Sequence, residues 1–264
     1  MAQVFPKTQK QLKSNKKAPV PDTLFVAGPV AVKAALQARP QEAVGLQVAR
    51  TRTYNNLLVE IINLAQNLNI NVEKVDNFVL DSLCHHHQGV IARFLQPPPL
   101  SWPDFLDNLP PQGPALILAL DHIEDPRNLG ALWRSAAAFG ASGLIVPQDR
   151  AAQTTAAVLK AAAGGAEAVP MVKAVNLTRA IEELKDLGFW SVAAEGGLGC
   201  DVNTFEYPPR TVLILGSEGR GLSRLIRERA DFFISIPIVK GTVESLNVSV
   251  AGAILMQAYF RQVS

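Results

Sequence analysis

From Ala115 onward the chain alternates between two kinds of stretch. Short runs that are apolar at nearly every position alternate with longer stretches whose apolar residues recur every three or four places. The runs "ALILAL", "GLIVP", "FWSVAA", "TVLILG" and "FFISIP" predict strands, with helices near 126–139, 154–163, 177–187, 222–229 and 247–261. Strands apolar on both faces belong in a parallel sheet buried between two helix layers. The first half shows the same alternation in a more polar form. "GPVAVKAALQ" predicts a helix, "AVGLQVAR" a strand, "TYNNLLVEIINLAQNLN" an amphipathic helix, "INVEKV" a strand, "DNFVLDSLC" a short helix and "GVIARFL" a strand. This is a small α/β unit, a sheet with covering helices.

Between the halves lies "PPPLSWPDFLDNLPPQGP", which holds seven of the chain's 18 prolines. Proline has no amide donor and holds its predecessor extended, so a stiff connector is expected there. Four segments follow: a basic tail over 1–21, a small α/β domain over 22–95, a proline-rich linker over 96–113 and a main domain over 114–264.

Composition narrows the class. The 264 residues are 48% hydrophobic and 18% charged, as expected for a globular chain with a proper core, and a net charge of +2 does not by itself require a nucleic-acid partner. The tail is different: Lys7, Lys10, Lys13, Lys16 and Lys17 stand in residues 1–21 without one acid. It reads as a disordered basic tail, either simply solvated or in contact with RNA, and lacks the apolar core of a secretory signal. Pro, Gly or charge interrupts every apolar stretch before it reaches membrane-spanning length. Cys84 and Cys200 are far apart and without metal-ligand spacing, so neither a disulfide framework nor a zinc site is expected. His85, His86 and His87 precede a strand, where successive side chains point to opposite faces, so they are not expected to converge on a metal. The expected compartment is the cytoplasm.

Ligands of parallel α/β sheets collect beyond the carboxyl ends of the strands. After "ALILAL" comes "DHIEDPRNLGALWRSAAAFG": Asp125 predicts a helix N-cap, Pro126 the first helical residue and Gly140 the end. Asn128 falls in the first turn. Arg134 lies deeper among Gly130, Ala131, Ala137 and Ala138, small residues that admit a backbone or a ligand. A spacing of six does not put Asn128 and Arg134 on one helical face. After "FWSVAA" comes "EGGLG" and after "TVLILG" comes "SEGRGL", loops whose glycines leave room for a ligand. Neither follows the G-x-G-x-x-G order, and no phosphate loop, zinc helix or nucleophile elbow is present, which sets aside ordinary hydride transfer, ATP hydrolysis and serine hydrolysis. Before the apolar last helix, Ser245, Asn247 and Ser249 stand within five positions. An N-cap accounts for one of them.

"DPRNLGALWRSAAAFG", "LILGSEGRGLSRLIRERAD" and "IPIVKGTVESLNVSVAGAILMQAY" resemble, in order and spacing, the three signature motifs of the SpoU (TrmH-type) RNA 2′-O-ribose methyltransferases. The first half, with "HQGVIAR", is similar to the small RNA-binding domain of the branch that methylates a guanosine of 23S ribosomal RNA. The resemblance implies a SPOUT-class α/β fold with a C-terminal trefoil knot, S-adenosylmethionine as cofactor, structured RNA as partner and a homodimer. It implies no metal. By position it implies cofactor contacts at Glu195, Gly196, Gly216, Ile236 and Leu246, and substrate handling and catalysis at Asn128, Arg134, Glu218, Ser245 and Asn247. The arginine matching Arg134 is proposed in the family as the base. A guanidinium stays protonated, so Arg134 is expected to hold the target phosphate and polarise the hydroxyl, with Asn128 and Glu218 orienting it and the ribose. Two alternatives stand beside this: a transfer-RNA methyltransferase, and a non-enzymatic RNA-binding or ribosome-assembly protein that retains the fold.

Overall fold

The computed structural model describes residues 23–50, 54–84, 87–95, 100–149, 151–217, 219–239, 241 and 243–264. The expected basic tail therefore lies outside the described residues.

The first half is built of β1 (Thr23–Ala27), α1 (Pro29–Ala38), β2 (Ala43–Ala49), α2 (Asn56–Asn67), β3 (Val72–Val75), α3 (Asn77–Leu83) and β4 (Val90–Leu95). Their four strands form one sheet in the order β1-β4-β2-β3, with β4 antiparallel to both neighbours and β2 parallel to β3. Helices α1 and α2 set Val32, Leu36, Leu58 and Ile61 against Leu46, Val48 and Phe94 on one face. On the other face α3 sets Leu80 against Ala27, Ala49 and Ile91. Sequence patterning passes over β1, whose "TLFVA" is too short to show a period.

The second half holds α4 (Trp102–Asp107), β5 (Ala115–Asp121), α5 (Pro126–Ala138), β6 (Gly143–Pro147), α6 (Ala156–Ala162), α7 (Gly165–Ala168), β7 (Met171–Ala174), α8 (Leu177–Asp186), β8 (Trp190–Ala194), β9 (Cys200–Asp201), β10 (Arg210–Gly216), α9 (Arg224–Arg229), β11 (Phe232–Ser235) and α10 (Val248–Val263). Seven strands make one sheet in the order β7-β6-β5-β10-β8-β11-β9, parallel at every pairing. The apolar runs behave as their composition requires: β5 is buried along its whole length. Leu116, Leu118 and Leu120 meet Leu132 of α5 and Leu255 and Met256 of α10, while Ile117 and Ala119 meet Ile181 and Leu184 of α8. β10 lies between β5 and β8 although β8 comes before it in the chain.

The proline-rich stretch is more than a connector. Ser101 caps α4 by accepting from Asp104 N, and a proline in the first turn lacks only a donor the helix leaves unused there. Phe105 is fully buried and occupies the space a side chain at Gly143 would need. The two halves also share a core, because Leu159 of α6 packs among the buried residues of the small domain. Beside it Arg39 ion-pairs with Glu167 at 3.0 Å, and its guanidinium stacks over the Phe94 ring at 4.7 Å.

One polar group inside the main sheet carries a stability prediction. Ser191, fully buried in β8, donates to Asp231 Oδ2 from its backbone N at 2.9 Å and from its hydroxyl at 2.8 Å, while Lys185 donates to Oδ1 at 3.0 Å. Burial works against the Asp231 carboxylate, but these hydrogen bonds outweigh it and hold the group below the usual range. Asp231→Ala is expected to lower stability by about 1–3 kcal/mol, because the buried Ser191 donors lose their acceptor. A carboxyl held low in the folded state adds stability above the unfolded carboxylate range and loses it as pH falls through the folded value. Urea denaturation of both proteins at neutral and acid pH should therefore show the difference shrinking in acid.

Candidate active site

Because the sheet is parallel, the loops after β5, β8, β10 and β11 gather at one end of it. Asp125 starts α5 there, its side chain accepting from Arg127 N at 2.8 Å, and Asn128 follows in the first turn. Asn247 starts α10: its Oδ1 accepts from Ser249 N at 2.9 Å and from Ser249 Oγ at 2.6 Å. The other end of the same amide donates from Nδ2 to Asn128 Oδ1 at 3.0 Å. Asn247 thus caps α10 and ties it to the first turn of α5. The close approach depends on Gly252, where a Cβ would collide with Leu132 of α5.

Around this contact opens a cleft of about 240 Å³ lined by His122, Glu124, Asp125, Asn128, Ser217 and Arg220. Ser217 Oγ is buried without a hydrogen-bond partner among the described residues. At the end of β5, Asp121 is 2% exposed. Its Oδ2 accepts from Ser223 N at 2.6 Å, which fixes the start of α9, and its Oδ1 lies 2.6 Å from His122 Nδ1. The Arg127 side chain, hydrogen-bonded to Asp125, holds that carboxyl below its usual range.

Arg134 is exposed on α5 and does not line this cleft. The small residues near it serve packing: a Cβ on Gly130 would collide with Ala161 of α6, and one on Gly165 of α7 would stand 3.1 Å from Arg134 Cα. Ser245 is exposed in the hinge before α10, while Glu218 lies outside the described residues. Glu195 follows β8, with its backbone N donating to Ile234 O at 3.0 Å and its carboxylate accepting from Arg227 Nε at 2.9 Å. Its side chain is therefore committed to Arg227. Ile236 and Leu246 are half-buried at the two ends of the loop after β11.

Gly216 has a packing reason to be glycine as well. A side chain there would strike the backbone of Gly221 and Leu222, so the glycine lets its own loop fold back, with Gly221 N donating to Ser217 O at 2.9 Å. Gly216→Val is expected to abolish cofactor binding by displacing residues 217–222, with no direct filling of the ligand space. Calorimetry would show the lost affinity, and proteolysis confined to that loop would show the cause.

The loops suit an adenosyl sulfonium. Gly196 faces open space, so its backbone is free for close approach, while Leu198 and Ile238 present exposed apolar surface and Ser217 Oγ remains unpartnered. His87, by contrast, is structural: its Nδ1 accepts from Gly89 N at 3.0 Å and its Nε2 donates to Asp81 Oδ1 at 3.1 Å. His85 and His86 lie outside the described residues. Among the described residues no group of three or more His, Cys, Asp or Glu side chains is arranged to hold a metal ion.

Sequence reasoning passed over His122, Ser217 and Arg220. The available signal was the polar pair Asp121–His122 at the end of a wholly apolar strand.

A parallel sheet with a polar cleft at its carboxyl end, joined to a small α/β domain, is the build of an α/β ligand-binding domain with an appended module. Residues 115–257 match the SpoU rRNA Methylase family, and residues 25–100 match the RNA 2′-O ribose methyltransferase substrate-binding family. The chain is 37% identical over 240 residues to the 23S rRNA (guanosine-2′-O-)-methyltransferase RlmB of Vibrio vulnificus, covering 90% of this chain and 96% of that one. Its fold is similar to a crystal structure of an RNA 2′-O ribose methyltransferase, with TM-score 0.77 and 25% identity over 91% of this chain and 88% of the other. It is also similar in fold to the SpoU methyltransferase AviRb from Streptomyces viridochromogenes, solved with AdoMet, with TM-score 0.74 and 24% identity over 91% and 90%. The chain belongs to the SpoU rRNA methylase family and is an RNA 2′-O-ribose methyltransferase.

Proposed function

We propose that the protein transfers a methyl group from S-adenosylmethionine to the ribose 2′-hydroxyl of a guanosine in 23S ribosomal RNA. The hydrogen bond from Asn247 to Asn128 carries the chemistry, because it unites the first and last signature motifs at one cleft. The choice of nucleotide rests on the full-length similarity to the Vibrio vulnificus enzyme.

In this reading the loops at Glu195 and Gly196, after Gly216, and between Ile236 and Leu246 hold S-adenosylmethionine, which supplies an activated methyl carbon. Asn128, Glu218, Ser245 and Asn247 orient the ribose, and Arg134 grips the adjoining phosphate. Positioning is the larger part of the task, since the oxygen must meet the methyl carbon in line. Residues 22–95 bind RNA, residues 114–264 perform transfer, and 96–113 join them. The order of β8 and β10 in the sheet supports a trefoil knot around the cofactor loops.

A homodimer belongs to the same reading. On α10, Val250, Ile254 and Phe260 are 48%, 37% and 42% exposed, an apolar face beside the helix that carries Arg134. In this reading Arg134, which does not line the cleft of its own chain, reaches the cleft of a second copy. No helix among the described residues is long and apolar enough to cross a membrane, and an enzyme for ribosomal RNA would work in the cytoplasm.

The test is a map of 2′-O-methylation in all stable RNAs of a strain lacking the gene. Loss of one 23S guanosine methylation is expected. Loss from a transfer RNA instead would move the target, and an unchanged map with intact S-adenosylmethionine binding would favour the non-enzymatic alternative.

A further inference from the structure

Asp121 and His122 form a pair that the proposed function leaves unused. The Asp121 carboxylate is buried, and both its oxygens are engaged, Oδ2 by Ser223 N and Oδ1 by the His122 ring. A carboxylate only accepts, so the nitrogen facing it, Nδ1, carries the proton. In the neutral ring the lone pair is then on Nε2. His122 has φ 61, a left-handed conformation uncommon for a residue with a side chain, and it lines the cleft that holds Asn128 and the unpartnered Ser217 Oγ.

A ribose hydroxyl must lose its proton as the oxygen is methylated, and the other groups at hand are poor acceptors. Arg134 stays protonated. Asp125 is occupied by Arg127, which holds its carboxyl low, and Glu124 is exposed. Asp121, against the His122 ring, and Glu124, Asp125 and Arg220, in the same cleft lining, are the titratable groups around His122 among the described residues. The remaining lining residues, Ile123, Asn128, Ser217 and Val248, carry no titratable side chain.

We propose that His122 is the proton acceptor for methyl transfer, with Asp121 as the positioning residue that fixes its tautomer. The 2′-hydroxyl proton passes to Nε2 while the oxygen's electron pair forms the bond to the methyl carbon. The carbon–sulfur bond breaks and its pair stays on sulfur. The imidazolium, steadied by Asp121, then returns its proton to water. This assignment rests on the methyltransferase reading above.

The test uses the full-length protein and His122→Asn, since asparagine tolerates the left-handed conformation and the variant should fold. The rate of single-turnover RNA methylation is expected to fall by about 10²–10⁴-fold, with S-adenosylmethionine and RNA affinities unchanged. The rising limb of the pH–rate profile should disappear with it. Independently of activity, imidazole ¹⁵N spectra should show one histidine, absent in His122→Asn, as the Nδ1–H tautomer, and Asp121→Asn should shift it toward the Nε2–H form and lower the rate. A His122→Asn enzyme with wild-type rate and pH profile would overturn the assignment alone, as would an Nε2–H tautomer in the wild type. Wild-type protein that methylates no RNA would overturn the function and this assignment together.

Discussion

Arg134→Ala is expected to cut single-turnover methyl transfer by about 10²–10³-fold, the usual loss when a positioned donor to a reacting group is removed. S-adenosylmethionine binding should persist, because Arg134 lies on α5 and the loops proposed to hold the cofactor follow β8, β10 and β11. The fold should persist as well: the side chain is exposed, makes no hydrogen bond or ion pair with a described residue, and leaves the Gly165 contact to the backbone. Arg134→Lys separates two roles. Lysine keeps the charge but loses the planar fork, so a phosphate clamp should be badly impaired at every pH. A base would instead survive as lysine with its pH–rate profile moved to lower pH. Wild-type turnover by Arg134→Ala would return the residue to the status of an exposed surface charge.

The second large effect is expected from removal of the small domain. A chain beginning at Leu100 should bind S-adenosylmethionine normally yet lose about 10²-fold or more in RNA affinity, because linked RNA contacts multiply through effective concentration. The cut must spare α4, since Phe105 fills the space above Gly143. It also bares Leu159 and leaves Glu167 without Arg39, so the shortened chain should carry Leu159→Gln to remain soluble. For the intact protein, RNA affinity should fall with salt as phosphate contacts release counterions, and the slope should be smaller for the shortened chain. Equal RNA affinity and slope for the two proteins would remove the small domain from substrate binding.

The strands of the main sheet were legible in proportion to their burial. β5 and β10 are apolar on both faces because helices cover both, and that demand is written at every position. β7 is an edge strand with Lys173 exposed, and β9 has two residues, so neither shows a period. α7 has four residues and starts from glycines, and α4 was hidden by prolines that suit a first helical turn as well as a linker.

At the site, the family resemblance singled out Asn128 and Asn247, and each stands at a helix start beyond a strand. Their meeting was invisible in the sequence. Helical spacing relates neighbours three or four positions apart, whereas this hydrogen bond spans 119 positions and depends on two helices closing over Gly252. Gly216 was legible as a glycine that something must approach closely. The structure supplies its own loop, at Gly221 and Leu222, as that neighbour.

The chain by itself determined a parallel α/β domain, the places where its strands end, and the polar residue types at those ends, because burial and hydrogen-bonding demand act on each residue locally. Only the tertiary structure decided which of those residues share a cleft. Asp121 and His122 show the reason. Adjacent residues of a strand point to opposite faces, so their order in the chain argues against contact. The strand ends at Asp121 and the backbone turns to φ 61 at His122, which brings the ring onto the buried carboxylate in a residue that also lines the cleft.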